Sequence, residues 1–268
     1  MSALELPALA TGATWSVCVR DASNGTVLAR HRADEVQRTA SVGKLFLLVE
    51  VARRLEDGTL PHDEPLTWHD DETVEDSGLW YRLATRTLPV ADLGVLVGAV
   101  SDNLATNVLV RHVGLDAVAA LTRELGYTES GLLDRVRDHR GPDDPPTLSR
   151  GNATELSDLM VRLERGRVVS PGVSSQVLAW LGANTDLSMV ASAFGLDPLA
   201  HDLVDRGYRL VDKTGTISTA RIDVGVVEGP RRAVAWAALA EWPADTDPRD
   251  DVLASMHGLG RLLRAHVD

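Results

Sequence analysis

Apolar and polar residues alternate through "TWSVCVRD" (14–21) and again through "TVLARH" (26–31), with the turn "SNG" between them. That period of two predicts a hairpin. The pattern then changes: Leu45, Leu48, Val49, Ala52 and Leu55 recur at the spacing of one helix face, and Gly58 supplies a stop. A helix over 41–56 follows. Residues 60–72 read as a polar, proline-containing loop.

From about 91 to 185 the periodicity is helical throughout. "ADLGVLVGAV" is nearly all apolar and predicts a buried helix, whereas "NLATNVLVRHVG" and "LDAVAALTRELG" are amphipathic and close on glycine. "GNATELSDLMVRLERG" opens with the start signals Asn152, Thr154 and Glu155. Asn152 also heads a formal glycosylation sequon, but at a helix start it reads as an N-cap. The stretch "DRVRDHRGPDDPPTLSR" is charged and proline-rich and predicts a long loop, a class that is usually functional or disordered.

Beyond about 205 the period of two returns in "GYRLVD", "RIDVGVVE" and "RRAVAWAALAEW", with "GPRR" as a hairpin turn. The tail "DVLASMHGLGRLLRAH" sets Val252, Met256, Leu259 and Leu263 on one helix face. Strands therefore lie at both ends and helices in the middle. The predicted fold class is α/β (α+β): one antiparallel sheet built from the two terminal segments, flanked by helices, with an all-helical insertion. The boundaries read as 1–38 plus 186–268 for the α/β part and 39–185 for the helical part.

The 268 residues, 44% hydrophobic and 25% charged, suit a soluble globular protein with a sizeable core. A net charge of −12 argues against nucleic acid and anionic membrane as partners. Cys18 is the only cysteine, which excludes an intrachain disulfide; its strand-like setting predicts a buried thiol. The eight histidines are scattered without ligand spacing, so neither a metal nor another cofactor is expected. The first residues lack a basic segment followed by an apolar run, so as written the chain reads as cytoplasmic, or as an exported protein whose leader has been removed. A monomer is expected.

Of 27 basic residues only two are lysine, Lys44 and Lys213. GC-rich codon usage would explain an arginine-rich chain, so the neighbours of the two exceptions decide the matter. Unlike arginine, a buried lysine can lose its proton and act as a base, and it fits a narrow slot. Ser41 and Lys44 stand three residues apart at a helix start, on one face. Acyl transfer needs such a hydroxyl, a base and oxyanion donors. Neutralising Lys44 requires a fall of ~3 pKa units, about 4 kcal/mol, within reach of burial plus a second cation. Lys213, in "VDKTGTIS", is the candidate second cation, and Gly215 in that strand marks a close backbone approach. Ser101-Asp102-Asn103 lies at a helix–helix junction, where Ser101-Asp102 alone would read as an N-cap.

Each fragment is weak alone, but S-x-x-K, S-D-N and K-T-G occur here in that order and use both lysines. This set resembles that of the class A serine β-lactamases and penicillin-binding proteins. The resemblance extends from the first hairpin to the last helix, and the strand–helix–strand order is that of the family. It implies an active site between the two parts of the fold. Ser41 would be the acylated nucleophile, Lys44 its proton partner, and Ser101 the proton donor to the leaving nitrogen. Asn103 would hold the substrate amide and Lys44, with Asp102 structural. Lys213 and Thr214 would bind the substrate carboxylate, with Gly215 allowing close approach and Arg221 reaching over from the next strand. The backbone N–H groups of Ser41 and Thr216 would form the oxyanion hole. The implied partner is a small β-lactam or related amide or ester carrying a carboxylate.

The pattern departs from the family in the long loop. Class A enzymes place a water-activating glutamate shortly after an Asp-Arg pair; here the pair is Asp134-Arg135, and the glutamate position holds Arg137. Asp138 is the candidate substitute, weighed against a plain solvated charge. The main expectation is a β-lactamase-type hydrolase, with slow deacylation. The alternatives are a covalent penicillin-binding or sensor-like module that acylates and stops, and an esterase or amidase on a related substrate. Trp180, Trp236 and Trp242 read as core or rim packing, as does Trp80, with the cleft mouth as its alternative.

Overall fold

The computed structural model describes residues 3–201 and 204–268. In chain order the strands and helices are β1 (Thr14–Asp21), β2 (Val27–His31), β3 (Gln37–Arg38), α1 (Lys44–Glu56), β4 (Pro65–Thr67), β5 (Thr87–Pro89), α2 (Val90–Val100), α3 (Asn103–Val113), α4 (Leu115–Glu124), β6 (Gly131–Leu132), β7 (Ser149–Gly151), α5 (Ala153–Glu164), α6 (Pro171–Gly182), β8 (Arg209–Ile217), β9 (Ala220–Glu228), β10 (Ala233–Glu241) and α7 (Arg249–Val267). The principal sheet has the order β2-β1-β10-β9-β8, and all its pairings are antiparallel. The two ends of the chain thus meet in one sheet, as the hydrophobic pattern predicts.

Both faces of that sheet are covered. One carries Cys18, Ile222, Val224, Ala237 and Leu239 into a core shared with the helices of the middle segment. The other carries Trp15, Val17, Val19, Trp236 and Ala238 against α7, whose Val252, Met256, Leu259 and Leu263 point inward as their spacing requires. Period-two alternation within each strand serves both cores, because successive residues face opposite sides.

α1 departs from its amphipathic reading. Phe46, Leu47 and Val51 are buried as fully as the predicted face, because α2, α3, α4 and α6 all pack against it. A helix surrounded by protein is buried all round. Glu50, also buried, meets Arg53 and Arg54 at 2.9 and 2.6 Å. The predicted helix start is a 3₁₀ turn over Ala40–Gly43 instead, with the α-helix beginning at Lys44.

The middle segment holds elements beyond those read from sequence: α6, the short strands β6 and β7, and the antiparallel pair β4 and β5, of which β4 lies within the stretch 60–72 expected to be loop. α6 follows Ser170, whose hydroxyl caps Val173 N–H, with Pro171 in the first turn; both are standard start signals. The short strands β3, β7 and β6 form a small sheet that brackets the long loop, residues 133–148, at the site's edge. Asn152 caps α5 by accepting from Glu155 N–H. Trp80 is wholly buried, its indole N–H donating to Thr85 O at 3.1 Å, so it belongs to the core and not to the cleft mouth. Among the described residues no single helix is long and apolar enough to cross a membrane.

Candidate active site

Ser41 lies in the 3₁₀ turn and Lys44 closes it. With three residues per turn, side chains at i and i+3 eclipse one another, so this turn stacks the two more directly than an α-helix would. The turn is wedged between two elements. On one side, a Cβ on Gly43 would fall 2.2 Å from Ser149 Cβ. On the other, a Cβ on Gly215 would fall 2.4 Å from Thr39 O, so only glycine lets β8 approach the Ser41 turn. The close approach expected at Gly215 is thus made by the chain's own backbone. Ala40, directly before Ser41, has φ 47°. For an alanine that left-handed conformation costs about 1–2 kcal/mol.

Lys44 is fully buried. Its Nζ lies 2.7 Å from Ser101 O, 2.8 Å from Asn103 Oδ1 and 3.3 Å from Ser101 Oγ. Asn103 Nδ2 donates to Glu75 O, which fixes the amide with its oxygen toward the amine. Burial first, and the Lys213 ammonium second, push the Lys44 amine well below the ordinary lysine value, against the pull of Asp102 and Asp76. A neutral amine has two N–H groups and one lone pair. The two carbonyl oxygens match the former, which leaves the lone pair for a hydroxyl.

Ser101 ends α2 in a left-handed conformation, and Asp102 begins α3. Asp102 is buried and accepts from Ala105, Leu79 and Trp80 N–H groups at 2.7–2.9 Å. That saturates it as a structural cap and holds the corner from which Ser101 and Asn103 project.

Lys213 is also fully buried, and its Nζ donates to Thr214 O at 3.0 Å. Burial lowers its pKa to about 8, opposed by Asp212, Asp186 and Asp223. It therefore keeps most of its charge at neutral pH while Lys44 is driven toward the uncharged form. Asp212, the preceding residue of β8, and Asp223 on the neighbouring β9 are buried too. Desolvation raises Asp223 to about 7 and Asp212 well above the ordinary carboxylate range.

A cavity of about 890 Å³ is lined by Ser41, Ser101, Asn103, Thr214, Thr216 and Asp138. Lys44 and Lys213 lie behind this wall. Gly215, between the lining residues Thr214 and Thr216, does not itself line the cavity. Arg221 does not line it: its guanidinium donates to Ile217 O and Ala220 O at 2.7 and 2.8 Å and lies over the Trp242 ring.

In the long loop Arg137 donates to Asp134 at 2.7 Å and pairs with Asp144 at 3.1 Å, and Arg140 also binds Asp134. Asp138 is exposed on the cavity side. The loop is fastened to α3 by Asn107, whose amide oxygen accepts from Val136 N–H at 2.8 Å while its nitrogen donates to Val136 O and Glu72 O. Sequence reading passed over Asn107, although its place four residues after Asn103 puts both on one face of α3. It also passed over Ser149 and Asn184, which donates to Asp212 at 2.7 Å. These are long-range contacts that no local spacing announces.

The chain is similar to known proteins. β-Lactamase CTX-M-97 of Escherichia coli is 27% identical over 171 residues, covering 62% of this chain and 57% of that protein. The match thus spans little more than half of that relative's length. The crystal structure of a β-lactamase from Sphaerobacter thermophilus is 24% identical and superposes with a TM-score of 0.83 over 96% of this chain and 92% of that one. A mutant of PBP-A, described as an acyl-enzyme complex with penicillin G, is 21% identical with a TM-score of 0.78 over 96% and 90%. The fold is that of these proteins. The family description "Beta-lactamase enzyme family" matches residues 3–266, and the chain belongs to that family.

Proposed function

We propose that the protein opens β-lactams through an acyl-serine intermediate on Ser41. The observation that carries this reading is the buried Lys44 amine, one turn below Ser41, hydrogen-bonded to two carbonyl oxygens and to no carboxylate. A buried carboxylate partner would hold it charged; these acceptors leave it free to take a proton.

Ser41 Oγ gives its proton to Lys44 and attacks the lactam carbonyl. The Ser41 and Thr216 N–H groups receive the oxyanion. When the C–N bond breaks, the ring nitrogen takes a proton from Ser101 Oγ, which is resupplied by Lys44 at 3.3 Å. Lys213 and Thr214 hold the substrate carboxylate, whereas Arg221, engaged by Ile217 O and Ala220 O, is turned to the β8–β9 hairpin and not to the cavity. Asp138 is the carboxylate of the long loop best placed to activate water, since of Asp134, Asp138, Asp143 and Asp144 it is the one that lines the cavity. A small-molecule substrate suits this cavity.

A second reading follows from Arg137. An arginine locked in two ion pairs stands where the resemblance calls for the deacylating base, which favours an enzyme that acylates fast and hydrolyses slowly. Two measurements test both readings. A chromogenic cephalosporin should be turned over many times by the wild type and not by Ser41→Ala. Intact mass after exposure to penicillin G reports how long the Ser41 adduct persists. Absence of any adduct or turnover would end the assignment.

A further inference from the structure

We propose that Ser149 is a positioning residue that aims the oxyanion-hole donor of Ser41, an inference that rests on the reading that Ser41 is acylated. Ser149 Oγ donates to Ala40 O at 2.5 Å, and the Thr39 hydroxyl lies 2.8 Å from Ser149 Oγ. With Ser149 donating forward, Thr39 donates to Ser149, giving a chain of hydroxyls that ends on the Ala40 carbonyl. All three residues are buried, so no water competes for these groups.

The Ala40 carbonyl and the Ser41 N–H belong to one peptide unit. A trans peptide is planar, so its C=O and N–H point in opposite directions and turn together. Fixing the carbonyl on Ser149 therefore fixes the direction of the N–H. Among the described residues no protein group accepts from Ser41 N–H, which leaves it free for a developing oxyanion. The clamp has something to resist: Ala40 is held at φ 47°, and without the Ser149 bond the peptide can relax toward an ordinary conformation and swing the donor away. Thr39 N–H also donates to Ser149 O at 3.2 Å, tying β7 to the residue before Ala40. The nucleophile's turn is thus braced from the far end of the long loop.

The test compares wild type, Ser149→Ala, Ser149→Cys and the double variant Ser149→Ala/Ala40→Gly. The rate constant of acylation by penicillin G is measured separately from the dissociation constant of the preceding non-covalent complex. Loss of one oxyanion donor costs ~10²–10³-fold, so a donor misaimed but present should cost about 10–100-fold. We expect Ser149→Ala to slow acylation by that factor with the non-covalent affinity within about twofold of wild type. Ser149→Cys, with a weaker donor of similar shape, should fall between the two. Because glycine occupies the left-handed region without strain, the double variant should recover most of the lost rate, which a merely structural defect would not. The inference is overturned if Ser149→Ala, or Ser149→Cys should the alanine variant not fold, acylates like wild type. Loss of affinity in place of rate, or absence of rescue in the double variant, overturns it equally. Wild type that is never acylated removes the underlying reading as well; normal wild-type acylation with an indifferent Ser149 removes this inference alone.

Discussion

Lys44 Nζ sits 2.8 Å from Asn103 Oδ1, so the proposed base is held by a neutral amide in a place where a carboxylate would fit. The difference is electrostatic. Asn103→Asp puts a negative charge against the amine and favours the ammonium. We expect acylation at pH 7 to fall at least about tenfold, with the acidic limb of its pH profile moved upward by one unit or more. Asn103→Ala, which adds no charge, should leave that limb in place. A pH series of penicillin acylation rates for the two variants checks this.

Lys44→Arg keeps the charge and removes the ability to lose it. General-base catalysis is worth about 10²–10⁴-fold, and we expect a loss of that size in the acylation rate. A burst measurement with a chromogenic cephalosporin would show it; a variant that acylates normally would exclude Lys44 as the proton acceptor.

Lys213 titrates near neutrality, at about 8, because it is buried. A lysine is cationic below its pKa, so its attraction for a substrate carboxylate is present below about pH 8 and fades above it. Affinity for an anionic β-lactam should be flat from pH 6 to 7.5 and then weaken by ~10-fold per unit once the amine is mostly neutral. The corresponding ester, lacking the carboxylate, should show no such limb.

Arg137 is bound to Asp134 and Asp144. Replacing it with glutamate alone would crowd three carboxylates around Arg140, so the informative variant is Arg137→Glu combined with Asp144→Asn. A correctly placed base should shorten the life of the penicillin adduct by about 10²-fold, read as decay of the adduct mass. An unchanged lifetime would show that water activation is not what limits this enzyme.

Most of the architecture was legible because it is written in local periods. Val17 and Val19, Ile222 and Val224, and Leu259 and Leu263 each repeat at the spacing of their element. The 3₁₀ turn at Ser41 was not, because a helix start and a tighter turn share the same residues and differ only in what presses on them, here Ser149 and Gly215. Lys44 and Lys213 stood out by chemistry, as the two lysines among 27 basic residues. Asn107, Ser149 and Asn184 left no such trace. Their partners lie far along the chain, and a polar residue's meaning there is set by the fold.

The pairing of β1 with β10, Thr14 against Glu241 through Asp21 against Val234, governs how the molecule must be assembled. The hairpin at the start is synthesised long before the strand that completes it, so Val17 and Val19 wait with an open edge until nearly the whole chain has emerged. Such non-local closure slows folding, and it leaves intermediates prone to aggregate. The last helix seals the same sheet, with Val267 buried one residue from the end. Removal of the final turn should therefore lower the yield of soluble protein far more than its size suggests, although it lies outside the catalytic cavity.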